Sequence, residues 1–424
     1  MVNISHKGRA TLVLLTVLLV VGTAVWQHYS RVQVSIRIGV LHSLSGPMAI
    51  SEKPLIDAIR LAVEEANAAG GINGRKIEAL VVDCGLDPEH CAREAERLIT
   101  QEYVEALFGC WTSACRQAVR PVVEKHQHLL FYALRYEGLE QSSNIVYGGA
   151  VPNQLTMPAV HWALENLGKA SGSQQGVKRV YLAGSDYLFS RVLNLLIKDL
   201  LTAHRAEVVG EFYAPAQSAS LDDMAEEIAF QQPDIVFNSI SGIDNAKFFN
   251  ALRARGITAA KMPVLSFGVT EVLVAEDTAR MAGHYAARNY FQTVDTPENQ
   301  DFVKKFHGRF GTHAGLDSPA EASYINVRMW IDAAREAGSG SLSGVQRTIL
   351  RQSLPAPEGI VALDPITRHV WKVARVGRAR EDGQFEIVWE SGRPLEPAPF
   401  PSYRSREEWD LLLKSLSSAG EQKP

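Results

Sequence analysis

The chain has 424 residues, of which 46% are hydrophobic and 21% are charged, a composition typical of a soluble globular protein with two domains or lobes. A formal net charge of −4 and the lack of a Lys/Arg stripe interleaved with aromatic residues argue against nucleic-acid binding. The sequence also lacks the G-x-S-x-G, H-E-x-x-H and P-loop motifs, so we expect no enzymatic activity.

Residues 1–35 are predicted to form a signal peptide or an N-terminal membrane anchor. Lys7 and Arg9 precede an apolar run from Ala10 to Trp26, which is the pattern of an export signal. The run is slightly short for a spanning helix, so a cleaved signal and an uncleaved anchor both stay open. Positive charges on the cytoplasmic side predict an extracytoplasmic, periplasmic location for the rest of the chain, and residues 10–26 would tether it to the inner membrane if uncleaved.

Strands and helices alternate from residue 34 onwards. Apolar runs bounded by Gly, Pro and polar turns predict two series of strands separated near Pro152, with amphipathic helices between the strands. The predicted strands are at 34–41, 77–82, 107–108 and 129–132 in the first series, and at 180–183, 208–212, 235–238 and 264–267 in the second. Alternation of this kind predicts an α/β fold with parallel, doubly wound sheets.

The last third of the chain departs from this alternation. Its predicted elements are a strand at 285–291, helices at 297–310 and 319–337, and a hairpin formed by 371–376 and 385–389. Prolines from Arg393 onwards indicate an extended strap rather than a further domain. A short amphipathic helix at 407–416 is expected to close that strap.

The turn after the third strand is the first candidate for a ligand site. Thr112 and Ser113 follow Gly109 and open a helical run, so their hydroxyl groups would cap a helix at the carboxyl edge of the sheet. Open α/β sheets bind small molecules at that edge. Trp111 adds a flat apolar face beside these groups. On this segment alone, a capped helix with a half-buried tryptophan is the alternative interpretation.

Several stretches, in order along the chain, match one known family. They are Leu41-His42-Ser43-Leu44-Ser45-Gly46, Phe108-Gly109-Cys110-Trp111-Thr112-Ser113, Leu130-Phe131-Tyr132, Tyr136-Glu137-Gly138, Gly184-Ser185-Asp186-Tyr187, Gly283-His284-Tyr285-Ala286, Val294-Asp295-Thr296-Pro297-Glu298-Asn299 and 385–391. From about Ile36 to Trp409 the chain therefore resembles the amide- and urea-binding branch of the type I periplasmic binding proteins. These are relatives of branched-chain amino acid receptors and of the amide sensors that regulate aliphatic amidase expression.

The resemblance implies a fold of two Rossmann-like lobes joined by three crossovers. The lobe boundaries that it suggests are 36–150 plus 290–355 for lobe 1, 151–289 plus 356–392 for lobe 2, and 393–424 for the C-terminal strap. The implied function is that of a receptor that closes on urea or a short-chain amide and presents it to the membrane permease of an ABC importer. Neither a cofactor nor a metal ion is expected.

The same resemblance implies a set of ligand-binding residues. Lobe 1 would supply Ser43, Trp111, Thr112, Ser113, Tyr132 and Tyr136, and lobe 2 would supply Asp186, Tyr187, Ser239 and Glu271. Trp111 and Tyr132 would exclude water, while Ser113, Tyr187 and Glu271 would hydrogen-bond the amide. For Tyr136, Asp186 and Glu271, a purely local role in a loop or at a helix end is the alternative.

Three residues depart from the family pattern and bear on specificity. Leu134 stands where the resemblance to the amide sensors implies a hydroxyl group, and Arg135 and Arg288 introduce positive charge. A guanidinium group that points into the cleft would favour a ligand with a carboxylate. If these arginines point to solvent or pair with Glu137 or Glu271, the neutral-amide hypothesis stands.

Two functions other than that of a transport receptor are also compatible with the sequence. One is a membrane-tethered sensor that feeds a signalling or regulatory partner, and the other is an amide hydrolase that would need a Cys110 thiolate in the cleft. Four cysteines in an exported protein make disulfides plausible. Cys84 and Cys91 could form a local bridge, while Cys110 could pair with Cys115 or stay a buried thiol.

Overall fold

A computed structural model describes residues 35–46, 48–85, 87–167, 176–215, 218–276 and 278–420 of the chain. The predicted signal peptide or anchor lies almost entirely outside the described residues. Within the described ranges, no helix combines the length and the apolar character needed to span a bilayer.

The first series of strands forms a five-stranded parallel sheet in the order β2-β1-β3-β4-β5. Leu41 pairs with Gly109 in register, so the ends of β1 and β3 reach the same sheet edge. The elements are β1 (Ile36–His42), α1 (Ala49–Ala68), β2 (Ile77–Asp83), α2 (Pro88–Thr100), β3 (Leu107–Gly109), α3 (Ser113–Lys125), β4 (Leu130–Tyr132) and β5 (Ile145–Tyr147).

The second series builds the parallel part of a seven-stranded sheet, in the order β7-β6-β8-β9-β10. A short 3₁₀ turn, Pro152–Gln154, leads into it from the first lobe. Its elements are α4 (Thr156–Asn166), β6 (Arg179–Ser185), α5 (Leu188–His204), β7 (Glu207–Ala214), α6 (Asp222–Gln231), β8 (Ile235–Ser239), α7 (Asp244–Ala254), β9 (Val264–Ser266), α8 (Glu271–Glu276), α9 (Thr278–Met281) and β10 (Tyr285–Arg288).

The chain then returns to the first lobe. Helix α11 packs on α1, and a small antiparallel sheet, β11-β12-β13, contributes Val361, Leu363 and Val370 to the same core. The predicted boundary between residues 355 and 356 therefore falls inside a hairpin of the first lobe. The elements are α10 (Pro297–Phe310), α11 (Ser318–Glu336), α12 (Leu342–Thr348), a 3₁₀ turn (Ile349–Arg351), β11 (Ser353–Ala356), β12 (Gly359–Leu363) and β13 (Val370–Trp371).

A third crossing, at Lys372–Ala374, takes the chain back to the second lobe. There β14 (Arg375–Ala379) and β15 (Phe385–Glu390) extend the large sheet as antiparallel edge strands. The predicted hairpin is thus confirmed for these two strands, whereas Trp371 belongs to β13. The α/β fold with two lobes and mostly parallel sheets is also confirmed.

The C-terminal tail contacts both lobes before ending in α13 (Arg406–Gly420). The Leu139 N–H of the first lobe donates to the Pro399 carbonyl (2.8 Å). Trp409 of α13 is fully buried against Leu139 and against Val192 of α5 in the second lobe. The tail therefore contacts residues of both lobes.

Candidate ligand-binding cleft

The carboxyl ends of the two sheets face one another across a cavity of about 370 Å³. The turns after β3, β4, β6, β8 and β9 all reach it, as expected for α/β sheets. Its lining residues are Met48, Ser51, Pro88, Trp111, Thr112, Ser113, Ala114, Tyr132, Leu134 and Arg135 from the first lobe, Tyr187, Leu188, Phe189, Ser241, Gly242, Gly268, Thr270, Val272 and Leu273 from the second, and Asp317 and Pro319.

The turn after β3 places Trp111 in this cavity. Gly109 lies so close to β1 that a Cβ atom there would approach the Leu41 carbonyl oxygen to 2.2 Å, and its φ is +142°. Cys110 then adopts the left-handed region (φ +66°). The Thr112 hydroxyl oxygen accepts a hydrogen bond from the Cys115 N–H (3.1 Å), so the predicted helix cap is confirmed. The sharp turn and the cap together present Trp111, Thr112 and Ser113 to the cavity.

A buried network of charges supports the first-lobe wall of the cavity. Arg116 donates from Nε to Glu140 (2.9 Å) and from Nη2 to Glu137 (3.0 Å), and its guanidinium group lies 4.8 Å from the centre of the Tyr132 ring. The Ser113 hydroxyl donates to Glu137 (2.7 Å). Its single proton is therefore already engaged, and Ser113 can offer a ligand only an acceptor.

Five of the ten predicted ligand-binding residues line the cavity: Trp111, Thr112, Ser113, Tyr132 and Tyr187. The other five lie outside it. The Ser43 hydroxyl donates to the Gly85 carbonyl, Tyr136 is buried against Tyr147 and His369, Asp186 pairs with Arg191, the Ser239 hydroxyl donates to the Ala183 carbonyl, and Glu271 is buried behind the wall. Each of these side chains therefore supports local structure rather than facing the cavity.

Arg135 is the cationic group of the cavity wall. Its guanidinium group stacks on the Phe189 ring, 5.0 Å from the ring centre. Its Nε is buried, and none of the described residues accepts a hydrogen bond from it. Burial lowers the pKa of Arg135 to about 10, so the side chain is still cationic at neutral pH. Glu137, its predicted partner, is paired with Arg116 instead.

Arg288 lies behind the wall at the end of β10 and is 2% exposed. Its Nη1 donates to the carbonyl groups of Phe267 (2.7 Å) and Ala287 (3.0 Å). Its Nε and Nη2 have no acceptor within the described part of the chain. Burial, and then the charge of Arg135, lower the pKa of Arg288. Of the two arginines flagged by the sequence, only Arg135 reaches the cavity.

Several cavity residues were not predicted. Ser241 and Thr270 lie in the turns after β8 and β9. Thr112 was predicted because it is a hydroxyl residue in the turn after a strand, and the same criterion applies to these two residues. Phe189 comes directly after the predicted Tyr187. Asp317 follows no strand, and its only sequence signal is that of a helix cap: it accepts a hydrogen bond from the Ala320 N–H (3.2 Å).

Comparison with known proteins places this architecture in a family. Residues 36–406 match the family model described as a periplasmic binding protein domain, which covers most of the chain. The chain belongs to the periplasmic binding protein family. The family implies a periplasmic location.

Individual relatives agree with this membership to different extents. The chain is 24% identical over 369 residues to "Leu/Ile/Val-binding protein homolog 6" of Brucella melitensis, covering 84% of this chain and 90% of that protein. A shorter segment of 141 residues, 32% of this chain, is 28% identical to "Limonene hydroxylase" of Geobacillus stearothermophilus, but it spans only 26% of that protein.

Among solved structures, a solute binding protein of an ABC transporter from Rhodopseudomonas palustris BisB5, in complex with 3,4-dihydroxy benzoic acid, has a TM-score of 0.77. It is 19% identical, and the match covers 86% of this chain and 99% of that chain. At this identity the likeness concerns the fold.

Two disulfides stabilise the cleft side of this periplasmic binding protein. Cys84 is bonded to Cys91 and Cys110 to Cys115, and the Sγ atoms of Cys91 and Cys115 are 3.1 Å apart. The group Cys91, Cys110 and Cys115, whose sulfur atoms lie within 4.8 Å of one another, therefore offers no free thiolate to a metal ion.

Replacing Cys84 and Cys91 together by Ser is expected to lower the free energy of unfolding by about 2–3 kcal/mol. Without the disulfide, the segment between residues 84 and 91 is no longer a closed loop, so the unfolded chain gains conformational entropy. The double substitution avoids a free thiol beside the second disulfide. Urea unfolding of the oxidised proteins measures the effect, and a difference below about 0.5 kcal/mol, the range of neutral surface changes, would contradict it.

Glu271 is expected to make stability depend on pH. Its Oε1 accepts a hydrogen bond from the Gln292 N–H (2.9 Å), its Oε2 has no partner among the described residues, and burial raises its pKa to about 8. Between the ordinary value near 4.5 and 8, the folded state keeps a proton that the unfolded state releases. The contribution of Glu271 to stability is therefore present at low pH and is lost as the pH rises through this window.

The variant Glu271→Gln isolates this effect because an amide resembles the protonated carboxyl. The wild type should lose roughly 2–4 kcal/mol relative to the variant between pH 5 and pH 8. Urea unfolding of both proteins at several pH values measures the difference. Parallel stability curves for the two proteins would show that Glu271 ionises normally.

Proposed function

We propose that this protein is the solute-binding receptor of an ABC importer, and that its ligand is a small organic acid with an apolar or aromatic body. The two lobes close on the ligand, which is then delivered unchanged to a membrane permease. The observation that carries this proposal is that Arg135 borders the cavity and that its Nε has no hydrogen-bond acceptor among the described residues.

The charge of the cavity favours an acid over a neutral amide. A cation in a site that excludes water needs a counter-charge, and a planar guanidinium group binds a carboxylate through two parallel hydrogen bonds. Asp317 also borders the cavity, but its carboxylate caps α11 through the Ala320 N–H. A ligand carboxylate would therefore supply the hydrogen-bond acceptor that the Arg135 guanidinium group lacks.

The size and the lining of the cavity also favour an organic acid over urea. A volume of about 370 Å³ lies in the range of pockets for organic ligands, whereas urea would leave most of it to water. Trp111, Tyr132, Tyr187 and Phe189 supply aromatic surface, and Leu134 is apolar where a hydroxyl group was expected. The similar fold from Rhodopseudomonas palustris holds an acid with an aromatic ring, which supports this ligand class.

Hydroxyl groups around the cavity would select among such acids. Thr112, Ser241, Thr270 and Tyr187 present polar groups from both lobes. A ligand that reaches groups on both sides binds the closed form more tightly than the open one, so binding shifts the lobes towards closure. Tyr187 is 40% exposed, which suits a residue at the mouth that becomes covered on closure.

The geometry gives no support to an amide hydrolase. That hypothesis required a Cys110 thiolate, and Cys110 is bonded to Cys115. We therefore propose binding without catalysis.

A thermal-shift screen with matched pairs of acids and amides tests the ligand class. Benzoate and benzamide, or 4-hydroxybenzoate and 4-hydroxybenzamide, have nearly the same shape but differ in charge. At 100-fold excess over Kd, binding adds about 2.7 kcal/mol of stability, so a bound acid should raise Tm by several degrees. Its amide, and also urea and acetamide, should leave Tm unchanged.

The family resemblance to urea and amide receptors provides the competing outcome. If urea or short amides raise Tm while no acid does, the neutral-amide specificity is correct and Arg135 has another role. Equal shifts for an acid and its amide would also contradict the proposal, because the charge would then contribute nothing.

A further inference from the structure

A second, smaller cavity lies behind the cleft, where the three crossovers between the lobes meet. It is lined by Arg135 and Gly149 near the first crossover, Arg288 and Asn289 at the second, and Lys372 at the third. Its volume is about 20 Å³. A cavity needs roughly 10–15 Å³ to hold one water-sized particle, so this one admits a water molecule or a monatomic ion.

Buried hydrogen-bond donors without acceptors line this inner cavity. Arg288 is 2% exposed, and its Nε and Nη2 have no acceptor among the residues that the structure describes. The Nε of Arg135 is in the same situation. Since buried polar groups nearly always have a partner, donors of this kind around one small space indicate an acceptor that is not part of the chain.

The charges around the inner cavity indicate an anion rather than water. Arg135 and Arg288 repel each other, and Asp317 is a carboxylate that interacts with both. Glu271 is mostly protonated at neutral pH because burial raises its pKa to about 8, and Lys372 is already paired with Glu358. Two guanidinium groups thus lie beside the carboxyl group of Asp317, whose pKa burial raises. A water molecule could accept hydrogen bonds from them, but an anion would also offset the repulsion between the two arginines.

We propose that the inner cavity binds one monatomic anion, with chloride as the physiological ion, between the guanidinium groups of Arg135 and Arg288. The ion satisfies the buried donors and links the first and second crossovers. Since Arg135 borders both cavities, the ion holds this side chain from behind and leaves the other edge of its guanidinium group to the cleft. The ion site is distinct from the ligand site, although both use the side chain of Arg135.

Crystals of the wild-type protein grown in sodium bromide test the site directly. The expected result is an anomalous bromide peak within hydrogen-bond distance of both guanidinium groups. Water density without an anomalous signal in the inner cavity would overturn the proposal. Bromide peaks elsewhere on the surface have no bearing on it.

Thermal unfolding provides a second test in solution. At equal ionic strength, Tm should be several degrees higher in chloride or bromide than in gluconate, which is too large for the cavity. Arg288→Gln should abolish this difference, while the matched surface variant Arg309→Gln, at a side chain that pairs with Glu64, should keep it. Equal Tm values for the wild type in bromide and in gluconate would overturn the proposal. If Arg288→Gln does not fold, the bromide crystals of the wild type provide the test of the site.

Discussion

Substitution of Arg135 by Gln is expected to weaken binding of a carboxylate ligand by 100-fold or more. Losing the cationic partner of a buried carboxylate costs about 2–5 kcal/mol, and tenfold in affinity corresponds to about 1.4 kcal/mol. Isothermal titration of the best acid from the screen measures the loss. The matching neutral amide should leave Tm unchanged in this variant as in the wild type, because an amide makes no use of the charge.

When both proteins are compared in gluconate, which the inner cavity does not admit, the same variant should be about as stable as the wild type. The Nε of Arg135 has no acceptor among the described residues, and its charge disfavours that of Arg288. Removing this charge therefore relieves the repulsion of Arg288 and loses the attraction to Asp317, two effects of opposite sign. A matched control is Arg191→Gln, which makes the same change at a residue that pairs with Asp186 near the mouth but does not line the cavity. Equal affinity of the acid for wild type and Arg135→Gln would contradict the ligand assignment.

Substitution of Arg116 by Met is expected to have the largest effect on stability, a loss of about 3–5 kcal/mol. Arg116 is fully buried and pairs with Glu137 and Glu140, which are also buried. Burial alone would raise the pKa of Glu140, but the attraction to Arg116 more than offsets it and holds that pKa below its ordinary value. Without Arg116, two carboxyl groups would remain buried without their main cation. Urea unfolding at neutral pH measures the loss.

Arg120→Met is the matched control for this prediction. Arg120 lies one helical turn further along α3 and also approaches Glu140 (3.4 Å), but 40% of its side chain is exposed. Exposed ion pairs contribute less than about 1 kcal/mol, so this variant should be nearly as stable as the wild type. Similar stability losses in the two variants would show that burial does not determine the strength of the Arg116 network.

Much of the fold could be predicted from the sequence because hydrophobic periodicity is local. The strands that open each series and the β14–β15 hairpin follow directly from it. The β11–β12 hairpin was missed: β11 contains Pro355 and has only four residues, so its pattern is too short and too irregular to indicate a strand. For the same reason β5, with three residues, was not expected. The third crossing was consequently assigned too early in the chain.

The site was predicted less completely, since a strand-end position does not determine where a side chain points. Thr112 and Ser239 both follow or end a strand, yet Thr112 reaches the cavity and the Ser239 hydroxyl is turned back to the Ala183 carbonyl. Asp317 enters from a helix far along the chain, which no local pattern connects to the cleft. The departures at Leu134 and Arg135 were visible in the sequence, but the contacts of Arg135 require the fold.

A crystal structure of the complex with the best acid from the screen shows whether Arg135 binds the carboxylate of the ligand. The ligand is expected to lie in the cavity between the lobes, with its carboxylate about 2.7–2.9 Å from the guanidinium nitrogens of Arg135. Its body should lie against Trp111 and Phe189. A carboxylate that points to solvent, or a ligand bound outside this cavity, would contradict this expectation.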